Sequence, residues 1–441
     1  MVRGAMTPSL LLGAPSRLMQ TIGQDERFLQ VRNEMGEGLF PDALTWAAPA
    51  PSPRSARLLA GLASTLEQQL ETAELTMHLV HIPDAGRGLV AARDIGQGEV
   101  VLCEAPLLAT PSPHALACTC HYCLRPLRAV QGSAAAAAPA YCSDACASAA
   151  EAEFAGTAAL ADLRELEAAC RQTGEKFPLL AARLACLLAQ VRWRGEQPSS
   201  RDSSSSSSSS SRGDRSHASV WGQAAGRGDP ASDLRHLCFA NVRQPPQDWV
   251  DMHGLLQRGL APLAAALGRK QQQQAAADWD AWLRSTFSLE FYSWALSRLH
   301  LNVFRVDTVP PLDQAADPGA LLRAAAVAVS GDGAPTAGAG SGQAASPSGA
   351  AVYALASLLN HSCSPCLDVT FPANNALLQL VAARDITSGE QLTISYIDAE
   401  QPLEARQHAL AFAYGFECRC SKCVEEAGGK ELQRRQQHQL G

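Results

Sequence analysis

The chain contains 441 residues, with 36 basic and 43 acidic side chains and a formal net charge of −7. Such an acidic chain lacks the basic surface that non-specific duplex binding requires, so we expect no direct nucleic-acid binding. The most apolar stretch, residues 179–191, is shorter than the roughly 20 residues that span a bilayer, and we predict a buried helix there. The composition therefore indicates a globular protein without a membrane-spanning segment.

The pattern of apolar residues divides the chain into folded and low-complexity segments. Residues 1–76 include leucines at helical spacing, so we predict an N-terminal extension that is partly helical. Strand signals follow in 77–113, and helical periodicity dominates 151–284. Two stretches, the serine-rich 194–232 and the Gly, Ala, Ser and Pro-rich 331–350, cannot bury enough apolar surface to fold. We predict that both are disordered.

One short motif occurs twice. Val-Ala-Ala-Arg-Asp-Ile begins at Val90 and again at Val381, and each copy is followed by Gly-Glu and a β-rich run. Glycine supplies the backbone freedom that a turn needs, so each copy predicts strand, polar turn and strand. A long and largely helical segment separates the copies. We therefore predict an α+β fold in which a helical insertion divides a β-rich core.

The 14 cysteines are grouped. In a chain without the pattern of a secretory signal, grouped cysteines indicate metal binding rather than disulfides. The first group contains two close pairs, Cys120 with Cys123 and Cys142 with Cys146. Two such pairs can enclose a tetrahedral zinc ion without a long loop, so we predict one structural zinc in an insertion over 114–150.

A second group near the C-terminus contains only three cysteines, Cys418, Cys420 and Cys423. A closed zinc site needs a fourth ligand, which either Cys363 or Cys366 can supply. We take Cys363 as the ligand. Such a metal would join the C-terminal tail to a segment far away in the sequence, and the tail would form one wall of a pocket.

Four blocks of sequence occur in a fixed order: Gly86-Arg-Gly88, Asn360-His-Ser-Cys-Ser-Pro365, Gly389-Glu-Gln-Leu-Thr-Ile-Ser-Tyr-Ile-Asp398 and Tyr414-Gly-Phe-Glu-Cys-Arg-Cys-Ser-Lys-Cys423. With these blocks and this cysteine spacing the chain resembles the SET-domain lysine methyltransferases. The paired-cysteine insertion resembles half of a MYND zinc finger. The chain is thus similar to the SET-and-MYND proteins and to plant trithorax-related SET proteins, whose SET domain is split. The resemblance implies a β-rich SET fold with a pseudoknot and a cysteine-rich post-SET tail.

The resemblance also implies a division into domains. The segments, in chain order, are the N-terminal extension 1–76, the N-terminal SET part 77–113, the half-MYND-like zinc insertion 114–150, the helical insertion 151–284, the C-terminal SET part 285–417, the post-SET zinc segment 418–424 and a tail 425–441.

SET enzymes transfer methyl groups from S-adenosylmethionine to a lysine amine, and several residues here match the family's functional positions. Tyr396 matches the catalytic tyrosine, whose hydroxyl is directed at the methyl-transfer point. Asn360 and His361 match the most diagnostic cofactor contacts. Asn302 is a looser match, and the alternative is an ordinary asparagine at a strand end. The remaining matches to cofactor-binding positions are Gly86, Arg87, Gly88, Tyr414 and Phe416.

The resemblance implies a protein-lysine N-methyltransferase that uses S-adenosylmethionine and holds two structural zinc ions. We expect a monomer in the nucleus or cytoplasm, with a histone tail or another basic protein as its substrate. One departure leaves an alternative open, because Cys366 follows Pro365 where the family usually has asparagine. The alternative is a catalytically silent SET and zinc-finger adaptor that binds partner proteins.

Overall fold

A computed structural model describes residues 73, 76–83, 85–127, 139–196, 234, 237–240, 242, 244–270, 275–308 and 348–428. Most of the N-terminal extension, the serine-rich stretch after residue 196 and the greater part of the loop 331–350 lie outside these residues. The predictions for those segments therefore stay predictions, as does the tail beyond residue 428.

The described strands form four small sheets. In chain order they are β1 Met77–Ile82, β2 Gly86–Ala91, β3 Val100–Glu104, β4 Leu108–Pro111, β5 Val303–Val306, β6 Gly349–Val352, β7 Asn360–His361, β8 Leu367–Thr370, β9 Leu378–Ala382 and β10 Thr393–Ile394. The sheets have the orders β1-β2, β3-β9-β8, β4-β6-β5 and β7-β10. Only the β7–β10 pair is parallel among them. Because β3 and β4 pair with strands that follow the helical segment, the prediction of a divided α+β core is confirmed.

The two copies of the repeated motif pair with each other. Ile95 and Ile386 exchange backbone hydrogen bonds of 2.9 Å in both directions. The Asp94 carboxylate accepts the backbone N–H of Ser388 at 2.8 Å, and the reciprocal bond from the other copy has the same length. The two copies of the motif therefore join the two parts of the β core through reciprocal hydrogen bonds.

In the sequence, most of the described helices lie between the two parts of that core. They are α1 Asp144–Ala150, which continues as a π-helical segment Glu151–Ala155 and a short turn Gly156–Ala158, α2 Arg164–Thr173, α3 Phe177–Glu196, α4 Gln247–Lys270, α5 Ala275–Thr286, α6 Leu289–Asn302 and, after the core, α7 Leu403–Tyr414. Residues 179–191 are buried within α3 for most of their length, as the sequence predicts. None of the described helices combines the length and the apolar character needed to cross a membrane.

Aromatic side chains of α5 and α6 fill the core of the helical part. Trp279, Phe287 and Phe291 are at most 2% exposed, and they belong to one apolar cluster with α3. These aromatics therefore serve the packing of the helical part. The same cluster continues along α6 to Leu299, so the predicted boundary between 284 and 285 falls inside the helical part.

The structure shows order at the start of one predicted disordered stretch, 194–232, and at the end of the other, 331–350. Helix α3 continues to Glu196, so residues 194–196 are helical. Residues 349–352 form β6, the central strand of its sheet, and the prediction of disorder up to residue 350 is wrong there. Small residues suit this position, because a Cβ atom on Gly349 would lie 2.6 Å from the Thr110 carbonyl oxygen. Backbone bonds to β4 and β5 stabilise a strand that composition alone does not reveal.

Candidate active site

A small cavity of about 30 Å³ lies where the end of α6 meets the β core. Its walls come from the junction of α6 and β5, from Ser357 and Leu359, and from β10 with the residues that follow it. Tyr396 and Tyr414 both line it. The cavity is thus lined by residues of the third sequence block (389–398), of the fourth block (414–423) and of the segment just before the second block (360–365).

Tyr396 is half-buried and held at three points. Its hydroxyl donates to the carbonyl oxygen of Leu359. Its backbone N–H donates to Nδ1 of His361 at 3.0 Å. Its ring centroid lies 4.9 Å from that of Tyr414. These contacts hold the hydroxyl in a defined direction at the wall of the cavity.

Strand β7 connects the first two sequence blocks. It pairs with β10 and presents Asn360, whose side-chain N–H donates to the carbonyl oxygen of Arg87 at 3.1 Å. A Cβ atom on Gly88 would lie 2.7 Å from Nδ2 of Asn360. A side chain at residue 88 would displace the Asn360 amide, so glycine suits this close approach of the β1–β2 hairpin to β7.

Gly86, at the start of β2, has a φ of +74°, which glycine adopts without strain. A Cβ atom there would find no atom within 4 Å. The hairpin backbone is therefore packed against Asn360 at Gly88 and bordered by open space at Gly86.

Four rings, those of His361, Tyr396, Tyr414 and Phe416, lie next to one another. The His361 ring centroid lies 5.3 Å from that of Tyr396 and 6.0 Å from that of Phe416, and the Tyr414 and Phe416 centroids are 6.3 Å apart. The faces of aromatic rings attract cations. This group can therefore favour a positively charged sulfonium group beside the cavity.

Asn302 lines the cavity at the junction of α6 and β5. It is the last residue of α6, and its side-chain amide donates to the carbonyl oxygens of Cys238 at 2.6 Å and Arg298 at 2.7 Å. Asn302 immediately precedes β5, so it lies where the alternative of an ordinary strand-end asparagine expects it, and its match to a cofactor-binding position stays a prediction. The amide fixes the end of the helix at the cavity wall.

Cys366, the departure from the family pattern, is hydrogen-bonded to β10. Its side chain is fully buried, and its sulfur accepts the backbone N–H of Thr393 at 3.3 Å. Its own N–H donates to the Thr393 hydroxyl at 3.4 Å. The segment around residue 366 is thus tied to β10 by sulfur, so this substitution does not favour the silent adaptor.

The first cysteine group fits one zinc ion. The sulfur atoms of Cys120, Cys123, Cys142 and Cys146 lie within 4.8 Å of one another, and the distances from Cys142 to Cys123 and to Cys146 are both 3.5 Å. Zinc with Zn–S bonds of about 2.3 Å places tetrahedral ligand atoms roughly 3.8 Å apart. The neighbouring His121 is engaged elsewhere, with Nε2 2.8 Å from the Leu116 carbonyl oxygen.

The second cysteine group contains Cys363, as predicted, and not Cys366. The sulfur atoms of Cys363, Cys418, Cys420 and Cys423 lie within 4.8 Å of one another, and Cys363 and Cys423 are 3.5 Å apart. A hydrogen bond from Cys363 lowers the pKa of the Cys418 thiol, which favours the thiolate that binds zinc. This set also has the size of a tetrahedral zinc site.

Two side chains contact the second group from outside. His361 has Nε2 3.3 Å from the Cys363 sulfur, so its imidazole bridges the cysteine group and the backbone of Tyr396. Arg406 of α7 has a side chain only 1% exposed, and it donates to the Cys423 sulfur at 3.7 Å and to Glu426 at 2.9 Å. The sequence carries no signal for the burial of Arg406, because an arginine in a helix ordinarily lies on the solvent-facing side.

The fold agrees with the comparisons to known proteins. A family model described as the SET domain matches residues 86–397, and the chain belongs to the SET domain family. Its predicted fold class and family resemblance are therefore confirmed.

Two curated relatives have different extents of similarity. Histone-lysine N-methyltransferase ATXR4 of Arabidopsis thaliana is 27% identical over 349 residues, which cover 77% of this chain and 83% of that protein. Protein-lysine N-trimethyltransferase SMYD5 of Homo sapiens is 42% identical over 82 residues, which cover 18% of this chain and 20% of that protein. Similarity thus extends over most of the plant protein but only about a fifth of the human one.

Among solved structures, the SET domain of LSMT bound to lysine and AdoHcy is 14% identical, with a TM-score of 0.30. The match covers 84% of this chain and 58% of that one.

Proposed function

We propose that this protein is an S-adenosylmethionine-dependent protein-lysine N-methyltransferase. The observation that carries the proposal is the cavity whose wall holds the Tyr396 hydroxyl in a fixed direction beside Tyr414, with β7 and the glycine hairpin next to it. The names of the curated relatives, which are lysine methyltransferases, support the same activity.

The residues around the cavity fit the cofactor. When bound, S-adenosylmethionine supplies a methyl group activated by a positively charged sulfur. The backbone of Gly86, Arg87 and Gly88 would hold its methionine part, because the open space at Gly86 admits close approach. Asn302, Asn360, His361 and the aromatic rings of Tyr414 and Phe416 would complete the site, the rings by attracting the positive charge.

The target lysine must lose its proton before its amine can act as a nucleophile, against an ordinary pKa of about 10.4. Apolar walls such as Leu301, Phe304 and Ile394 disfavour the charged ammonium, because they offer it no compensating hydrogen bonds. Tyr396 presents its hydroxyl to the same space. We assign Tyr396 the role of orienting the reacting groups, which accounts for much of the rate in a transfer of this kind.

The two cysteine groups would each hold one structural zinc ion. Neither group borders the cavity with an open ligand position, so the proposed metal role is to stabilise the fold and not to activate substrate. We propose a histone tail or another basic protein as substrate, and a monomer acting in the nucleus or cytoplasm. The histone-lysine name of the plant relative supports that substrate class.

Transfer of a labelled methyl group from S-adenosylmethionine to core histones tests the proposal. We expect Tyr396→Phe to lower kcat roughly a hundredfold while the cofactor Kd stays nearly unchanged, because one oriented hydroxyl is lost without loss of packing. Tyr292→Phe is the matched control. Its hydroxyl is buried in the helical part and has no hydrogen-bond partner among the described residues, so its removal should leave kcat unchanged.

The assignment of Tyr396 is wrong if Tyr396→Phe keeps the full rate. Absence of labelled lysine in every basic protein tried, together with absence of cofactor binding, would contradict the methyltransferase proposal itself.

A further inference from the structure

Glu104, the last residue of β3, is a glutamate buried in the SET core with only 2% of its surface exposed. Its Oε1 accepts the backbone N–H groups of Ala354 at 2.7 Å and Leu355 at 3.0 Å, and its Oε2 accepts that of Ala356 at 3.0 Å. One carboxylate therefore binds three consecutive N–H groups from a segment about 250 positions away.

Those three N–H groups belong to residues 354–356, at the start of the segment that forms one wall of the cavity. The chain from Ala356 to Leu358 forms a single 3₁₀ turn, and the first N–H groups of such a turn have no partners within it. Ala356, Ser357 and Leu359 then line the cavity. The position of this wall is consequently set by the carboxylate beneath it.

The same segment reaches Tyr396. Leu359 supplies the carbonyl oxygen that accepts the Tyr396 hydroxyl, and the next residue begins β7. A continuous series of bonded groups therefore runs from Glu104 through residues 354–359 to the hydroxyl of Tyr396. The bonds in this series are between named atoms, and none depends on a bound ligand.

The acceptor chemistry at this position requires a carboxylate. A carboxylate has two acceptor oxygens and no donor, so both can face N–H groups. A glutamine of the same shape would place its NH₂ group against an N–H and would leave at least one of the three donors without a partner. Buried donors without partners are costly, so the segment would shift.

We propose that Glu104 is a positioning residue for the methyl-transfer site, acting through the 354–359 segment on the direction of the Tyr396 hydroxyl. This inference rests on the proposed methyltransferase function. It adds to that function a residue that none of the four sequence blocks contains.

A double-mutant cycle tests the inference, with kcat and KM measured for Glu104→Gln, Tyr396→Phe and the double variant, each normalised to its bound zinc and folded fraction. We expect Glu104→Gln to lower kcat roughly 10-fold to 100-fold with little change in the KM for protein substrate, because a small displacement of a reacting group is costly. The double variant should be no slower than Tyr396→Phe alone, since the two changes affect the same hydroxyl.

Glu99→Gln is the matched control. Glu99 lies just before the same strand and also accepts a backbone N–H, that of Gly96 at 3.2 Å, but it is on the surface. Its substitution should leave kcat unchanged. If Glu104→Gln does not fold, Glu104→Asp, which keeps the charge and shortens the side chain, enters the same cycle.

Multiplicative losses in the double variant would overturn the inference, because they would indicate that Glu104 acts independently of Tyr396. Should the wild-type protein transfer no methyl group, the proposed function fails and amide hydrogen exchange decides the inference. Faster exchange at residues 354–356 in Glu104→Gln than in Glu99→Gln would support the link to this segment, and equal exchange would contradict it.

Discussion

At the scale of single residues, the site depends on side chains that each contact two partners. His361 accepts the N–H of Tyr396 through Nδ1 and contacts the Cys363 sulfur through Nε2, so one ring joins the proposed catalytic residue to a zinc ligand. Arg406 places a buried positive charge against Cys423. Four thiolates around one Zn²⁺ carry excess negative charge, which a buried guanidinium offsets.

We therefore predict that Arg406→Met weakens zinc binding at the second cysteine group by roughly 10-fold to 100-fold, the size of effect typical of residues that contact metal ligands. Competition with a coloured chelator measures the affinity. Arg419→Gln is the control, because Arg419 lies between two of the cysteines but is exposed. Equal zinc affinity in the two variants would show that the guanidinium of Arg406 does not stabilise the site.

At the scale of elements, the two cysteine groups support different parts of the molecule. Cys120 and Cys123 pack with the helical cluster, and the Cys123 carbonyl accepts the N–H of Ala376 at 2.7 Å. Cys363, Cys418 and Cys423 instead pack with Tyr414, and Tyr396 and Phe416 lie against the same cluster. Only the second group is thus continuous with the cavity wall.

Because only the second cysteine group is continuous with the cavity wall, we expect cysteine substitutions in the two groups to affect cofactor binding differently. Cys423→Ser should reduce bound zinc from two ions to one and weaken the cofactor Kd by about tenfold or more, because the proposed pocket wall loses its metal. Cys146→Ser should also remove one zinc ion but leave the cofactor Kd nearly unchanged. Elemental analysis and calorimetry give both quantities. An unchanged cofactor Kd in Cys423→Ser would contradict the role of the tail as a pocket wall.

The sequence predicts these elements unevenly. Close cysteine pairs identify both metal groups, because ligand spacing is a local property. The first two residues of β6, 349 and 350, fall in the stretch predicted to be disordered, because the stability of this strand comes from hydrogen bonds to β4 and β5 and not from its own composition. The position of Asn302 at a helix end also depends on tertiary context, since α6 continues into β5 without a turn residue between them.

At the scale of the whole molecule, a β core is assembled from two parts separated by a helical insertion. The repeated motif predicted that arrangement, and the pairing of Ile95 with Ile386 shows how the parts are held together. Family resemblance located the blocks around the cavity. It did not identify Glu104 or Arg406, because the contacts that a buried charged side chain makes with other segments leave no local pattern in one sequence.

The most direct test of the central claim is to measure zinc content and S-adenosylmethionine binding together on the purified wild-type chain. The proposed function predicts two zinc ions per chain and a cofactor Kd on the order of micromolar, measured by calorimetry. A chain that holds both zinc ions but releases no heat with S-adenosylmethionine, and shows no protection of its cavity residues from hydrogen exchange, would contradict the methyltransferase and favour the adaptor.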